Sequence, residues 1–281
     1  MIIWLASYPK SGNTFVRSML SGYFFSDDGI FNFDLLNNIK KFPDFGVFKT
    51  LGIDITNENE VVKNYINVQK EINKRDGNSI RFLKTHAALN DINGYRFTDL
   101  KNTLGAIYIV RDPRKIILSY ANHSQITLSE SLKRLIELRT IGGLNDNQNQ
   151  SVTHVGSWST NYHSWKEFNK VGKYMLIKYE DLISKPEDNL RLILEFISKI
   201  TNTKLEVDKK KLNNVLSTTS FEYLQKLEKE NNFPEAIKTK DGNYATFFKY
   251  GKKNTGKNLP EEITKELENN LSSEMKELGY L

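Results

Sequence analysis

Short apolar runs alternate with helical patterns along this chain. Four of the runs are rich in aliphatic residues and are bounded by polar or turn residues, which predicts buried strands. The predicted strands are residues 2–6, 80–84, 106–110 and 174–178. Strands that alternate with helices are typical of a parallel sheet. We therefore predict an α/β fold with a central parallel sheet flanked by helices.

Apolar residues at helical spacing predict the helices. Phe15, Met19, Leu20 and Tyr23 lie on one face of a helix that opens near Asn13. The other predicted faces are Trp158, Tyr162, Trp165 and Phe168; then Leu190, Ile193, Leu194 and Ile197; then Ile263, Leu267, Leu271 and Leu278. Each of these faces is expected to pack against the sheet or its neighbours.

Helix starts are marked by residues that satisfy the first backbone N–H groups. Thr127 with Glu130, and Ser184 with Glu187, have the spacing of a capping box. Pro260 suits the first turn of the last predicted helix.

The chain shows no internal repeat and no Pro/Gly/Ser-rich linker, so we expect one domain over residues 1–281. Residues 24–79 and 122–156 are long, polar and Asn-rich. We interpret both segments as insertions over one face of the sheet, where substrate specificity is usually determined.

Composition narrows the class of protein. Hydrophobic residues make up 38% of the 281 residues, which supports a sizeable core and argues against a disordered chain. The absence of cysteine excludes thiolate catalysis, disulfides and Cys-ligated clusters, and it fits a reducing compartment, so we predict a cytoplasmic protein. The apolar start is too short for a secretory signal, and no run approaches the roughly 18 residues of a membrane span.

The net charge of +6 is dispersed along the chain. Dispersed charge favours a small anionic ligand over nucleic acid or a lipid surface. His123, His154 and His163 lack metal-ligand spacing, so we assign no metal.

The strongest chemical signal is the turn that follows the first predicted strand, residues 7–14, Ser-Tyr-Pro-Lys-Ser-Gly-Asn-Thr. In an α/β sheet this turn presents a helix N-terminus to an anion. Gly12 allows close approach of the backbone, Ser11 and Thr14 offer hydroxyls, and Lys10 supplies a positive charge. The turn is similar to a phosphate-binding loop, with Asn13 in place of the usual lysine. Taken alone, it could equally be an ordinary strand-to-helix turn.

Two other strand ends point to the same place. The second predicted strand ends in Lys84-Thr85-His86, and the third is followed by Arg111 and a helix that carries Ser119. Because parallel strands present their carboxyl ends at one edge, these side chains are expected to converge on one anionic site.

These motifs resemble the sulfotransferases that use 3′-phosphoadenosine 5′-phosphosulfate (PAPS). The 5′-phosphosulfate loop of that family is similar to residues 8–15, with Asn13 and Phe15 where many members have Thr and Trp. The 3′-phosphate element is similar to residues 108–114 followed by Ser119, and the base-bearing strand to residues 84–86. Residues 179–182 and 219–221 also match in the family order. The resemblance covers the chain to about residue 222.

The resemblance implies roles for individual residues. His86 would be the general base, and Lys10 and Lys84 would stabilise negative charge on the bridging oxygen and the leaving phosphate. The residues implied for the donor are Lys10, Ser11, Gly12, Asn13, Thr14 and Phe15 on the 5′ side, Arg111 and Ser119 at the 3′-phosphate, and Tyr179, Thr219 and Phe221 at the adenosine. PAPS would be the sulfuryl donor, and PAP the product.

The end of the chain departs from the family pattern. Members of the cytosolic branch close an Arg-Lys-Gly stretch over the 3′-phosphate, with a tryptophan beyond it. Here Lys249, Tyr250 and Gly251 stand in that place, and no tryptophan follows. Lysine is a point charge and gives no bidentate fork. We still expect residues 242–258 to form a lid.

Two other functions compete with sulfuryl transfer to a hydroxyl or amine of a small acceptor. One is an ATP- and Mg²⁺-dependent kinase with a modified phosphate loop, and the other is a polyanion- or RNA-binding module without catalysis. The acceptor and the oligomeric state stay open. The first insertion is rich in phenylalanine, which could line an apolar acceptor pocket or only pack the insertion onto the sheet. These residues are Phe24, Phe25, Phe31, Phe33, Phe42, Phe45 and Phe48.

Overall fold

The computed structural model of the protein describes residues 1–75, 80–143, 150–231, 233–237, 239, 242–249, 256 and 259–281. Its strands are β1 (Ile2–Ser7), β2 (Arg81–Thr85), β3 (Thr103–Val110), β4 (Thr140–Gly143), β5 (Gln150–His154) and β6 (Tyr174–Lys178). Its helices α1 to α6 are Asn13–Phe25, Phe45–Thr50, Glu58–Lys63, Tyr65–Arg75, Pro113–Ser124 and Leu128–Ile136. Helices α7 to α12 are Trp158–Lys166, Tyr179–Ser184, Pro186–Thr201, Lys209–Thr218, Phe221–Asn231 and Glu261–Glu277. The described residues also form short 3₁₀ helices at Phe33–Asn38 and Glu167–Val171.

The central sheet has the strand order β2-β1-β3-β6, and all of its described pairs are parallel. The four predicted strands are confirmed to within a few residues, and so is the α/β fold. β2 pairs on one side of β1 and β3 on the other, so the strand order reverses at β1. A crevice opens at such a reversal, outside the carboxyl ends of the strands, and ligands bind there in open α/β sheets.

Alternation along β1 gives the sheet two buried faces. Trp4 points into a cluster with α7, α12 and the first insertion, whereas Leu5 points into a cluster with α1, α9 and α10. Both side chains are fully buried. Strands that are covered on both faces read as continuous apolar runs, which is why the sequence pattern identified them.

The helix starts follow the sequence in part. Thr127 caps α6 by accepting a hydrogen bond from the backbone N–H of Glu130, as predicted. The capping box at Ser184 is wrong, because Ser184 is the last residue of α8 and its hydroxyl donates to the carbonyl of Asp181. α9 begins instead at Pro186, whose ring sets the backbone for a helix start.

The first insertion is mostly helical and packs onto the sheet. Of its seven phenylalanines, Phe42 alone lines the large cavity described below. Phe31 and Phe33 join a cluster with residues from the C-terminal part of the chain. Packing of the insertion is therefore the main role of these rings. In the second insertion, the described residues add the antiparallel pair β4-β5, which the sequence did not predict.

Among the described residues, no helix is long and apolar enough to cross a membrane.

Candidate active site

The turn after β1 needs unusual backbone angles. Lys10 has a φ of 66° and Gly12 a φ of 102°, both in the left-handed region. A β-carbon added at Gly12 would lie 2.2 Å from Cδ2 of Tyr179. Only glycine fits there, because the Tyr179 ring covers the backbone of the turn.

Helix α1 follows the turn and leaves its first N–H groups available. Its cap residue is Gly12, which has no side chain to accept from them. The first N–H groups of a helix have no partner within the helix, and they carry a partial positive charge. The turn and the start of α1 together therefore form a cradle whose free N–H groups suit an anion.

Asn13 fixes this cradle to the sheet. Its side-chain amide donates to the carbonyl of Leu5 at 2.9 Å and to the hydroxyl of Ser7 at 3.2 Å. The side-chain amide nitrogen of Asn13, a residue predicted to bind the sulfuryl donor, is thus engaged within the protein. What Asn13 can still offer to a ligand is its backbone N–H and its buried Oδ1, which has no partner among the described residues.

His86 follows β2 and lies beside β1. Its Nδ1 is 2.8 Å from the backbone oxygen of Ser7 and 3.2 Å from the Ser7 hydroxyl. A carbonyl oxygen only accepts, so Nδ1 carries the proton and Nε2 has the free lone pair. Burial and the nearby charge of Lys84 lower the pKa of His86 from 6.5 to about 3. The ring is therefore neutral at physiological pH and can accept a proton through Nε2.

Asn161 on α7 holds the backbone around His86. Its side-chain amide donates to the carbonyls of His86 at 3.0 Å and Val155 at 2.8 Å, and its oxygen accepts from Tyr108. Asn161 is fully buried, so these bonds are shielded from water. They tie the segment after β2 to the segment after β5.

Positive side chains crowd the same edge of the sheet. Burial, together with the charges of Arg111 and Lys84, lowers the pKa of Lys10 to about 7. Nζ of Lys10 lies 3.8 Å from the centre of the Phe247 ring, and the Arg111 guanidinium lies 4.3 Å from the centre of the Tyr179 ring. Aromatic faces stabilise cations that are withdrawn from water. Arg111 also donates to the carbonyl of Lys10 at 3.0 Å, which ties the ends of β1 and β3 together.

Glu235 is the carboxylate that balances part of this charge. It lies 2.5 Å from Arg17 and 3.2 Å from Lys84, and it accepts a 3.4 Å hydrogen bond from Thr14. Burial raises the pKa of Glu235, but the charges of Lys84 and Arg17 outweigh it and hold that pKa well below its usual range. The same carboxylate counteracts the lowering of the Lys84 pKa by burial. Glu235 therefore favours the protonated form of Lys84.

The described start of the predicted lid is anchored by Glu228 on α11. Its two carboxylate oxygens accept from the backbone N–H groups of Phe247 at 2.6 Å and Phe248 at 3.0 Å. Lys249 follows, and its Nζ is 2.8 Å from Oδ1 of Asn122. This anchor helps to place the Phe247 ring over Nζ of Lys10. Tyr250 and Gly251 lie outside the described residues.

A cavity of about 1000 Å³ collects most of the predicted site residues. Those that line it are Lys10, Gly12, Asn13, Thr14, Phe15, Lys84, His86, Arg111, Ser119, Tyr179, Phe221 and Lys249. Ser11 and Thr219 do not line it. The Thr219 hydroxyl donates to the carbonyl of Val215 in its own helix. The Ser11 hydroxyl is buried and has no partner among the described residues.

Sequence reasoning missed Glu235, Arg17, Asn161 and Arg139. The first three act through contacts between segments far apart in the chain, and no spacing rule links them. Arg139, which also lines the cavity, lies in the insertion that was interpreted only as a specificity segment. The sequence offers no clear signal for them: Glu235 is one of two acidic residues within residues 231–260, a segment that also holds six lysines.

Comparison with known proteins identifies the family of this chain. Residues 2–279 match the family described as the sulfotransferase domain. The chain belongs to the sulfotransferase family. It is therefore an enzyme of sulfuryl transfer, which confirms the predicted family and enzyme class. Membership decides against the kinase and the binding module as functions.

Solved structures agree on the fold. Mouse sulfotransferase SULT7A1, solved with PAP, is 18% identical, with a TM-score of 0.60 over 98% of this chain and 84% of that one. Retinol dehydratase, solved with retinol and PAP, is 16% identical, with a TM-score of 0.58 over 98% of this chain and 81% of that one. No curated protein sequence matches the chain significantly.

The contacts of Glu235 predict its contribution to stability. Removing the carboxylate in Glu235→Gln leaves the charges of Arg17 and Lys84 uncompensated, with side chains 7% and 12% exposed. Since Glu235 itself is 33% exposed, we expect the free energy of unfolding to fall by about 2–3 kcal/mol, at or below the range for fully buried pairs. Chemical denaturation measures this loss.

The matched control is Glu187→Gln, which removes the exposed ion pair with Arg191 and should cost about 0.5 kcal/mol or less. Because the folded-state pKa of Glu235 is depressed, its contribution is present at neutral pH and is lost as the pH falls through that pKa. In acid, the difference in free energy of unfolding between Glu235→Gln and the wild type should therefore shrink, whereas the small difference for Glu187→Gln should change little. Equal losses for Glu235→Gln and Glu187→Gln at neutral pH would contradict this account.

Proposed function

We propose that the chain transfers a sulfuryl group from PAPS to a hydroxyl or amine of a small acceptor, releases PAP, and uses His86 as the general base. The observation that carries the proposal is the neutral His86 ring, with Nδ1–H donated to Ser7, beside a cationic phosphate cradle in one cavity. Base and anion site are held together through β1, since Ser7 ends that strand and the cradle follows it.

One unused hydrogen-bond donor supports PAPS as the sulfuryl donor. Within the described part of the chain, Nε of Arg111, a residue that lines the cavity, is buried and has no hydrogen-bond partner. Leaving buried donors without partners costs free energy, which a bound phosphate or sulfate recovers. Mouse SULT7A1 and retinol dehydratase were both solved with PAP, and the cavity of this chain has a cationic and polar lining.

When bound, PAPS supplies an activated sulfuryl group attached to a phosphate that can leave. Nε2 of His86 takes the proton of the acceptor hydroxyl as the acceptor oxygen bonds to sulfur. The bond between sulfur and the bridging oxygen breaks, and the electron pair goes to the leaving phosphate. Lys10 and Lys84 stabilise that charge, and because they are fixed before the reaction, no reorganisation is needed.

The remaining donor contacts follow from position in the cavity. Gly12, Thr14 and the start of α1 would hold the 5′ side. Arg111 and Ser119 would hold the 3′-phosphate, with Tyr179 and Phe221 beside the adenosine. Lys249 would contribute to the predicted lid, whose residues beyond Lys249 lie mostly outside the described part of the chain. The cytoplasmic location stays a prediction.

His86→Ala tests the base directly. We expect sulfuryl transfer to fall by about 10²–10⁴-fold, the usual contribution of a positioned base, while PAP affinity changes less than about twofold. Transfer from radiolabelled PAPS to a panel of small acceptors and calorimetric titration with PAP measure the two quantities. His163→Ala is the control, since His163 lies outside the cavity and pairs with Glu274. Wild-type transfer by His86→Ala would remove the proposed base.

The pKa of Lys10 predicts a pH profile. With that pKa lowered to about 7, the free enzyme loses the Lys10 charge as the pH rises above 7. We therefore expect kcat/KM for PAPS to fall about tenfold per pH unit in the alkaline range, since one proton is lost. His86, with a pKa of about 3, should give no decline between pH 7 and pH 5.

Lys10→Arg provides the control for this profile. Arginine keeps its charge at every pH used, so the alkaline decline should disappear in this variant even if its rate is lower. An alkaline decline that persists in Lys10→Arg would assign the titration to another group.

A further inference from the structure

The cavity holds more positive charge than the donor site uses. Among the described residues that line it, seven are lysine or arginine and one is acidic. The seven are Lys10, Lys41, Lys84, Arg111, Arg134, Arg139 and Lys249. Under the proposed function, four of them act on PAPS. These are Lys10, Lys84, Arg111 and Lys249. Three cationic side chains remain for the rest of the cavity.

These three side chains differ in the carboxylates that balance their positive charge. Arg134 pairs with Glu130 at 2.9 Å, on the same helix. The charges of Asp44 and Glu235 act on Lys41. Arg139 has no such carboxylate in the described part of the chain, and its Nη1 is buried without a hydrogen-bond partner. A partly buried guanidinium with an unused donor is therefore available to a ligand.

The backbone of Arg139 is linked to that of the proposed base. Its carbonyl accepts from the N–H of Val155 at 3.0 Å, and Asn161 joins the carbonyl of Val155 to that of His86. The backbones of Arg139 and His86 are thus connected through Val155 and one amide side chain. Arg111 follows β3 and Tyr179 follows β6, on the other side of β1 from β2. The backbone of Arg139 is accordingly linked to the β2 side, where the acceptor binds under the proposed function.

The orientation of the guanidinium is restricted by its neighbours. Arg139 and Arg134 lie 5.2 Å and 5.6 Å from the centre of the Tyr120 ring, which also lines the cavity. The hydroxyl of Tyr8 donates to the carbonyl of Arg134, at the C-terminal end of α6. A guanidinium that is held against an aromatic ring loses less freedom when it binds a planar oxyanion.

We propose that Arg139 selects an acceptor that carries an oxyanion, a carboxylate or a phosphate, in addition to the hydroxyl that is sulfated. This inference rests on the proposed function and names its substrate class. An oxyanion gives Arg139 the charge-assisted hydrogen bonds that its unused donor lacks. A neutral acceptor of the same shape leaves that donor buried and unpaired, which weakens its binding. Phe42 and Ile141 provide apolar contact for the body of a small acceptor.

The test compares acceptors that differ only in charge. The probes are 4-hydroxyphenylacetate and its amide, 4-hydroxybutyrate and its amide, and 4-hydroxybenzylphosphonate as the phosphate-like arm. Each is titrated calorimetrically into the PAP-saturated protein and is tested for sulfuryl transfer from radiolabelled PAPS. The variants are Arg139→Gln and Arg139→Lys. The matched control is Arg191→Gln, which removes an arginine from the exposed face of α9.

We expect at least one oxyanion probe to bind at least tenfold more tightly than its neutral partner. Arg139→Gln should reduce that preference to within twofold, Arg139→Lys should keep part of it, and Arg191→Gln should keep all of it. PAP affinity and thermal stability should stay unchanged in Arg139→Gln, which separates acceptor recognition from misfolding. Tighter binding of a carboxylate probe than of the phosphonate would identify a carboxylate as the group that Arg139 binds. Tighter binding of the phosphonate would identify a phosphate.

Three results would overturn the inference: amides that bind as well as the acids, no saturable binding of any oxyanion probe, or a preference that survives Arg139→Gln. Failure of the proposed function has a different signature. In that case the wild-type protein does not bind PAP, so the titrations fail before an acceptor is added.

Discussion

Burial of like charges at one edge of the sheet is the constraint on which the site depends. The ends of β1, β2 and β3 bring Lys10, Lys84 and Arg111 to one cavity, and withdrawing such charges from water is costly unless they are compensated. The chain compensates them with the carboxylate of Glu235, the faces of Phe247 and Tyr179, and the carbonyl of Lys10. The compensation is incomplete, as the lowered pKa of Lys10 indicates. A polyanionic donor completes it.

The same arrangement separates two tasks within the cavity. On the side of β3 and β6, cationic and aromatic side chains suit a nucleotide with phosphates. On the side of β2, a neutral histidine, held by Ser7 and supported by Asn161, suits proton removal from an acceptor. Burial is the main cause of the lowered pKa of His86, and the charge of Lys84 lowers it further, so the cations of the cavity help to keep the proposed base unprotonated.

The features that could be predicted from the sequence are those that depend on residues close together in the chain. The buried strands are apolar throughout, and the turn around Gly12 has the residues that an anion cradle needs, so both could be located without the structure. The cap at Ser184 failed because Pro186 sets a later start for α9. The phenylalanines of the first insertion were ambiguous, since apolar rings serve a core and a pocket equally well. Glu235, Arg17 and Asn161 could not be found, because their roles exist only through contacts across long stretches of chain. The resemblance assigned Thr219 to the adenosine, but its hydroxyl donates to the carbonyl of Val215, four residues earlier, and Thr219 does not line the cavity.

The central claim is that the cradle after β1 and the cations around it bind a nucleotide with phosphates at both the 3′ and 5′ positions. Calorimetric titration of the purified protein with PAP, with ATP and Mg²⁺ as the paired ligand, tests this most directly. The account predicts micromolar or tighter binding of PAP without added metal, and much weaker binding of ATP. Binding of ATP with Mg²⁺ as tightly as PAP, or no binding of PAP, would contradict it.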